Sequence, residues 1–235
     1  MVALNKKSGA LIWKSAIPGG EPAGYASAVV VQGAGQKQYV QCLSKGMVGV
    51  DAKTGKFLWR NKEVAKGPAQ YFTPIARGEY VYAGALGVGG VLVRLKAGDG
   101  AAEQVYFTRG LPNGIGGAVV VGETIYGTEA GAKLVGADLV TGKVKWQDKS
   151  IGWASVAYAD GHLYLHGING ELALVEASPE GYREKGRFTP PAQPKKKQAG
   201  PFPEGAFAYP VIANGRLYIR DLGTLWAFDI KSSRQ

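Results

Sequence analysis

Cysteine is nearly absent. Cys42 is the only one in 235 residues, so no intrachain disulfide can form. It lies in the alternating run Gln38-Tyr39-Val40-Gln41-Cys42-Leu43, the setting of a packed strand thiol and not of a nucleophile. Histidine is almost as scarce, with His162 and His166 alone. Four residues apart on a strand they share a face but stand about 13 Å apart, too far to clamp one zinc ion. No apolar run approaches the ~18 residues of a membrane span. The N-terminus shows no charged-then-apolar leader, so no signal peptide is expected in this chain. No local acidic cluster offers the convergent oxygens that a hard cation needs. The stretch from Gly84 to Gly90 lacks the Lys-Ser/Thr of a phosphate loop and reads as a hairpin turn.

What is abundant is glycine, 36 residues, beside an apolar fraction of 46%. That balance suits a turn-rich, all-β protein with a buried core. The formal charge is +10, which favours anionic partners. The charges are scattered, however, and the tight cluster is Lys195-Lys196-Lys197. A solvated basic face is expected, without sequence-specific nucleic-acid binding.

One phrase recurs. It runs Asn5-Lys6-Lys7-Ser8-Gly9-Ala10-Leu11-Ile12-Trp13, then Asp51-Ala52-Lys53-Thr54-Gly55-Lys56-Phe57-Leu58-Trp59, then Asp138-Leu139-Val140-Thr141-Gly142-Lys143-Val144-Lys145-Trp146. The Asp or Asn side chain can accept backbone N–H groups two or three residues on, and Gly supplies a positive-φ position. Alternation from the glycine is expected to carry Leu11 with Trp13, Phe57 with Trp59 and Val144 with Trp146 onto one face. Degenerate copies follow at 96–100 and 176–181, and a last one stops at Leu225-Trp226-Ala227-Phe228-Asp229.

A hairpin precedes each phrase. Asp160-Gly161 and Asn214-Gly215 are strong hairpin signals. Each unit therefore has four antiparallel strands in roughly 40–50 residues, the size of a propeller blade. The expected fold is an all-β propeller of about five blades in one domain. The blades fall near 24–62, 71–109, 116–149, 153–189 and 206–230. Strand 10–14 is expected to close the last blade, which leaves residues 2–4 surplus. The proline-rich segment 189–204 is expected to be an exposed basic loop whose prolines forbid ladder pairing.

The Asp-x-x-Thr-Gly-x-x-x-Trp phrase resembles the tryptophan-docking motif of the pyrroloquinoline-quinone-like (quinoprotein alcohol dehydrogenase-like) β-propellers. The resemblance covers essentially the whole chain at blade level. It implies that Asn5, Trp13, Asp51, Gly55, Trp59, Asp138, Gly142 and Trp146 hold the blades together. Family members usually have seven or eight blades and a signal sequence. By that comparison this chain looks like the C-terminal part of a longer protein, with a periplasmic or extracellular location. The family's enzymes bind pyrroloquinoline quinone with calcium and use an adjacent cysteine pair, which this chain lacks. Its other branch includes a bacterial lipoprotein that helps assemble outer-membrane proteins.

Register alignment of the blades singles out Tyr25, Tyr71, Ile115, Trp153 and Phe207. Each stands two residues before an aligned first-strand position: Ser27, Thr73, Gly117, Ser155 or Tyr209. In a propeller these residues stand at one mouth of the channel. They form either an aromatic collar for a ligand or a wedge between blades. Trp153 is expected to be the most exposed of them. The leading expectation for function is a non-catalytic platform for a protein or anionic polymer, with no cofactor. Behind it stand a quinone-dependent oxidoreductase of alcohols or sugars and a carbohydrate hydrolase or lyase. Open sheet edges favour homo-oligomers.

Overall fold

The computed structural model describes residues 1–67, 69–199, 202–204 and 208–231. The described secondary structure is β-strand and turn throughout. The chain divides into two compact units, Met1–Arg109 with Val140–Gly142, and Gly110–Leu139 with Lys143–Gln235.

The first unit opens with a hairpin, β1 (Val2–Leu4) against β2 (Leu11–Lys14). Sheet I follows as β3 (Val29–Gly33), β4 (Gln36–Leu43), β5 (Gly46–Asp51) and β6 (Phe57–Asn61). Sheet II contains β7 (Ile75–Arg77), β8 (Tyr80–Ala85), β9 (Gly89–Leu95) and β10 (Ala102–Thr108). The second unit holds sheet III, made of β11 (Ala118–Val121), β12 (Thr124–Thr128), β13 (Leu134–Asp138) and β14 (Val144–Asp148). Sheet IV is β15 (Ala154–Ala159), β16 (His162–Gly167), β17 (Leu172–Glu176) and β18 (Glu184–Phe188). A short pair, β19 (Gln198–Ala199) and β20 (Phe202–Pro203), precedes sheet V. Sheet V has β21 (Val211–Ala213), β22 (Arg216–Asp221) and β23 (Thr224–Asp229). Sheets I to V are all antiparallel meanders in chain order, the blade type of the propeller class.

Burial explains the strand compositions. Middle strands are covered on both faces and read as nearly continuous apolar runs. Met47, Val48 and Val50 of β5 are fully buried, as are Leu134, Val135 and Ala137 of β13. Outer strand β18 is exposed along its whole length and is correspondingly charged.

Three expectations need correction. Strand 11–14 does not complete the last sheet: it pairs with 2–4, and β23 is the third and outermost described strand of sheet V. The reason is local. Residues 2–4 reach the strand across a short turn, so closing that hairpin costs little loop entropy. The turn is tied by the Asn5 side-chain oxygen, which accepts the N–H groups of Lys7 and Ser8. Trp13 is committed within the same unit, its indole N–H donating to the Ala52 carbonyl at 3.2 Å.

Secondly, segment 189–204 is not free of ladder pairing. Gln198 pairs with Pro203 and Ala199 with Phe202. A proline carbonyl still accepts, so the ring removes only a donor at the end of this short ladder. Nor is the basic cluster wholly solvated. Lys196 turns inward and pairs with the fully buried Asp221 at 2.5 Å.

Thirdly, alternation through the repeated phrase is broken. Trp59 pairs with Gly49, but the next pair is Phe57 with Val50, so Leu58 is an extra residue. The same shift puts Ile12, Lys145 and Lys185 into bulges one residue before positions 13, 146 and 186. A bulge re-aims the residue after it and increases local twist.

Candidate functional site

Residues 23–27 and 70–73 run beside each other in the first unit. The Tyr25 N–H donates to the Gln70 carbonyl at 2.8 Å, and the Ser27 N–H to the Thr73 hydroxyl at 3.1 Å. The buried Gln70 side chain donates to the Val64 carbonyl at 2.7 Å. On the approach to Tyr25, the buried Glu21 carboxylate takes Arg60 and the Lys45 N–H. These bonds fix the backbone under two aromatic side chains.

Tyr25 and Tyr71 stack above that backbone with ring centroids 5.2 Å apart and planes 10° from parallel. Tyr25 is 74% exposed and Tyr71 37%. Two stacked phenols held on a hydrogen-bonded base present apolar faces and hydroxyl tips to solvent. Such groups lose little conformational entropy when a partner covers them.

In the second unit the aligned residues are less available. Ile115 is half-buried, and its carbonyl accepts the Tyr209 hydroxyl at 3.5 Å. Trp153 is half-buried, and its indole N–H donates to the Glu129 carbonyl at 3.1 Å. Tyr25, and not Trp153, is therefore the most exposed of the four described candidates. Phe207 lies outside the described residues.

The repeated phrase behaves as a set of local staples. One Asp51 oxygen accepts the Lys53 and Thr54 N–H groups and the Thr54 hydroxyl, and the other accepts the Gln36 amide at 2.7 Å. The Thr54 hydroxyl first, then the Gln36 amide, hold the Asp51 carboxyl down at about 2. Gly55 adopts φ +73°, and a Cβ there would run into the Trp13 ring. Gly142, at φ +70°, faces the Tyr106 ring less tightly, and a Cβ there would come to 3.1 Å from it. The Trp59 indole donates to the Gln38 side-chain oxygen at 2.8 Å, and the Gln38 amide donates to the Gly100 carbonyl at 2.8 Å. Trp146 reaches the Ser178 carbonyl at 2.9 Å. Asp138 pairs with Lys145 at 3.5 Å.

The Gln38 relay was not legible beforehand. A glutamine in an alternating strand reads as an outward polar residue, but here it is fully buried.

Among the described residues no set fits a calcium–quinone site. The single cysteine is buried, and burial pushes its thiol up to about 12. Among the described residues no group of three His, Cys, Asp or Glu side chains is placed to hold a metal. His162 sits at the start of β16 with Nδ1 2.7 Å from the Asp160 carbonyl. His166 is buried on the same strand, with Nδ1 2.9 Å from the Ala208 carbonyl.

No curated protein sequence matches the chain. Among solved structures, BamB from Moraxella catarrhalis is similar at a TM-score of 0.67 and 16% identity, over 95% of this chain and 64% of that one. The computationally designed Ika8 protein is similar at a TM-score of 0.63 and 9% identity, over 95% and 63%. A europium-containing methanol dehydrogenase reaches 0.51 at 12% identity, over 77% and 50%. At these identities the likeness is one of fold, and the chain spans less than two thirds of each of these structures. The family model described as outer membrane protein assembly factor BamB matches residues 1–155. The chain belongs to that family of pyrroloquinoline-quinone-like β-propellers.

Proposed function

We propose that the chain is a non-catalytic platform that binds a protein partner through the Tyr25–Tyr71 face. The observation that carries this reading is the stacked, exposed tyrosine pair on a hydrogen-bonded base. Membership of a family described by an assembly factor supports a protein as the partner and the bacterial periplasm as the location. Of the five collar residues the proposed face takes this pair, because Ile115 and Trp153 are half-buried and Phe207 lies outside the described residues. The formal charge of +10 speeds encounter with an acidic partner surface. The repeat residues, Asn5, Trp13, Asp51, Gly55, Trp59, Asp138, Gly142 and Trp146, serve the scaffold.

The test uses the immobilised chain and detergent-solubilised outer-membrane proteins. Specific retention of a protein is expected, and Tyr25→Ser/Tyr71→Ser should abolish it while the circular dichroism spectrum is unchanged. Retention that ignores the double substitution would overturn the assignment of the face. Turnover of an alcohol or sugar with added quinone and calcium would overturn the non-catalytic reading.

A further inference from the structure

The aromatic residue of the outer strand has a fixed place in sheets I and III. Trp59 lies across Gly49 and Trp146 across Gly136, so closely that a Cβ on either glycine would fall inside the indole. Sheet IV reverses the pair. Its third strand carries Leu174 and its outer strand Gly186, in the same register and beside the same bulge. A Cβ built on Gly186 meets nothing within 4 Å.

A cavity of about 420 Å³ occupies that place. Its lining includes Leu174, Gly186 and Phe188 of sheet IV, with Leu217, Ile219 and Ile230 of sheet V or its end. Leu217 and Ile219 are buried, and Phe188 meets Phe228 edge-on at 5.0 Å. The volume falls within the range of pockets that bury most of a small molecule. Apolar cavities stay dry and accept apolar guests.

The cavity also has a polar cue. Ala52 follows β5, its N–H donates to the Lys37 carbonyl at 3.0 Å, and its own carbonyl receives the Trp13 indole N–H. Ile230 follows β23, and its N–H donates to the Gly215 carbonyl at 3.0 Å. Ile230 therefore occupies on sheet V the position that Ala52 holds on sheet I. Its carbonyl corresponds to the acceptor of the Trp13 indole N–H, whereas the Trp146 indole uses Ser178, one residue beyond the counterpart Ala177.

We propose that this cavity binds a small, uncharged, planar aromatic molecule of indole size that carries a ring N–H. The ring takes the place left by the absent tryptophan of sheet IV, and the N–H donates to the Ile230 carbonyl. A free molecule is favoured over a partner's side chain because the volume, about 420 Å³, lies in the range of pockets that enclose small molecules. This site is separate from the tyrosine face and stands or falls independently of it.

The test is titration of the methyl-labelled full chain with indole, followed by NMR. Saturable shifts are expected at the methyls of Leu174, Leu217 and Ile219, with Val48 and Val50 of sheet I unmoved. 1-Methylindole, which cannot donate, should bind about five-fold more weakly, the usual worth of one hydrogen bond. Leu174→Gly/Gly186→Trp rebuilds the glycine–tryptophan pair and should abolish the shifts. Should that variant fail to fold, Gly186→Leu places a side chain in the cavity and should weaken binding at least ten-fold. Absence of saturable shifts at the sheet IV and V methyls would overturn the proposal. So would shifts that survive both substitutions, or equal affinity for the methylated ring. Tighter binding of a tryptophan-containing peptide than of indole would assign the cavity to a protein side chain instead.

Discussion

Sheet I and sheet IV are built on the same plan and sealed by different means. Sheet I ends on Trp59, 6% exposed, laid across Gly49 and bonded through Gln38. Sheet IV ends on Gly186 in a strand that is exposed along its length. Its outer strand is tied by ion pairs: Arg187 with Glu184 and Glu171, Arg183 with Glu176 and Glu180, and Lys185 with Glu176. Both sheets nevertheless keep four strands, the same meander and the same bulge. The difference teaches that turns and strand pairing define the blade. The aromatic residue adds burial, and where it is absent the space stays open.

The comparison breaks most visibly at the indole. Trp59→Ala should cost about 3–5 kcal/mol, the range for a buried large aromatic that leaves a cavity. Arg187→Ala on sheet IV should cost no more than about 1 kcal/mol, because exposed ion pairs are screened. Urea unfolding of the two variants measures both. A loss for Arg187→Ala that matched the loss for Trp59→Ala would mean that the ion pairs, and not burial, hold the blades.

A smaller effect tests close approach. Gly49→Ala should cost about 1–3 kcal/mol, because the added methyl overlaps the Trp59 ring and forces it off its rotamer. Near-ultraviolet circular dichroism should change with it, since the indole moves. An unchanged spectrum with unchanged stability would mean that the ring is not seated on the glycine.

Acid should separate the two sheets next. Burial holds the His166 imidazole of sheet IV below its ordinary value of 6.5; the Ala208 carbonyl and Asp221 oppose that shift, and Lys196 adds to it. The unfolded chain therefore binds a proton near pH 6.5 that the folded chain refuses. Stability from this group is complete above that value and declines as the pH falls below it, until the folded imidazole also protonates. The Asp51 carboxyl of sheet I, held down at about 2, contributes a separate loss only as the pH falls from 3.8 towards 2. His166→Gln should flatten the upper limb of a stability–pH curve and leave the lower one. A curve with an unchanged upper limb would remove His166 as its cause.

These contrasts also mark what was legible in the sequence. The Asp51 turn is visible because its chemistry is local: an acid, two N–H groups and a glycine within five residues. Asp160 and Gly161, and likewise Asn214 and Gly215, adopt the positive φ angles that such hairpins require, as their residue types predict. The bulge before each aromatic position left no trace, because an extra residue changes spacing without changing composition. Lys196 looked like part of a solvated cluster, since its acid partner Asp221 stands 25 positions away in sequence. The pairing of 11–14 with 2–4 is hard to read in the sequence, because the partner strand is only three residues long and carries no turn-flanked alternation of its own. The tyrosine pair was legible as two large residues at aligned positions, but its stacking was not.

The smallest expected effect is the most discriminating. Gly186→Ala in sheet IV is chemically the same change as Gly49→Ala in sheet I, on the opposite member of the cross-strand pair. The new methyl meets open space. The unfolded chain loses backbone freedom, which favours the folded state by about 0.4–1 kcal/mol when the native φ is tolerated. Exposure of the outer strand offsets part of that gain, so the net change should lie within about 0.5 kcal/mol of zero. Paired urea titrations of the two alanine variants test the contrast. A penalty at Gly186 as large as that at Gly49 would mean that the space beside it closes in solution. The reversal of the glycine–aromatic pair would then be a packing variant, and no longer a vacancy.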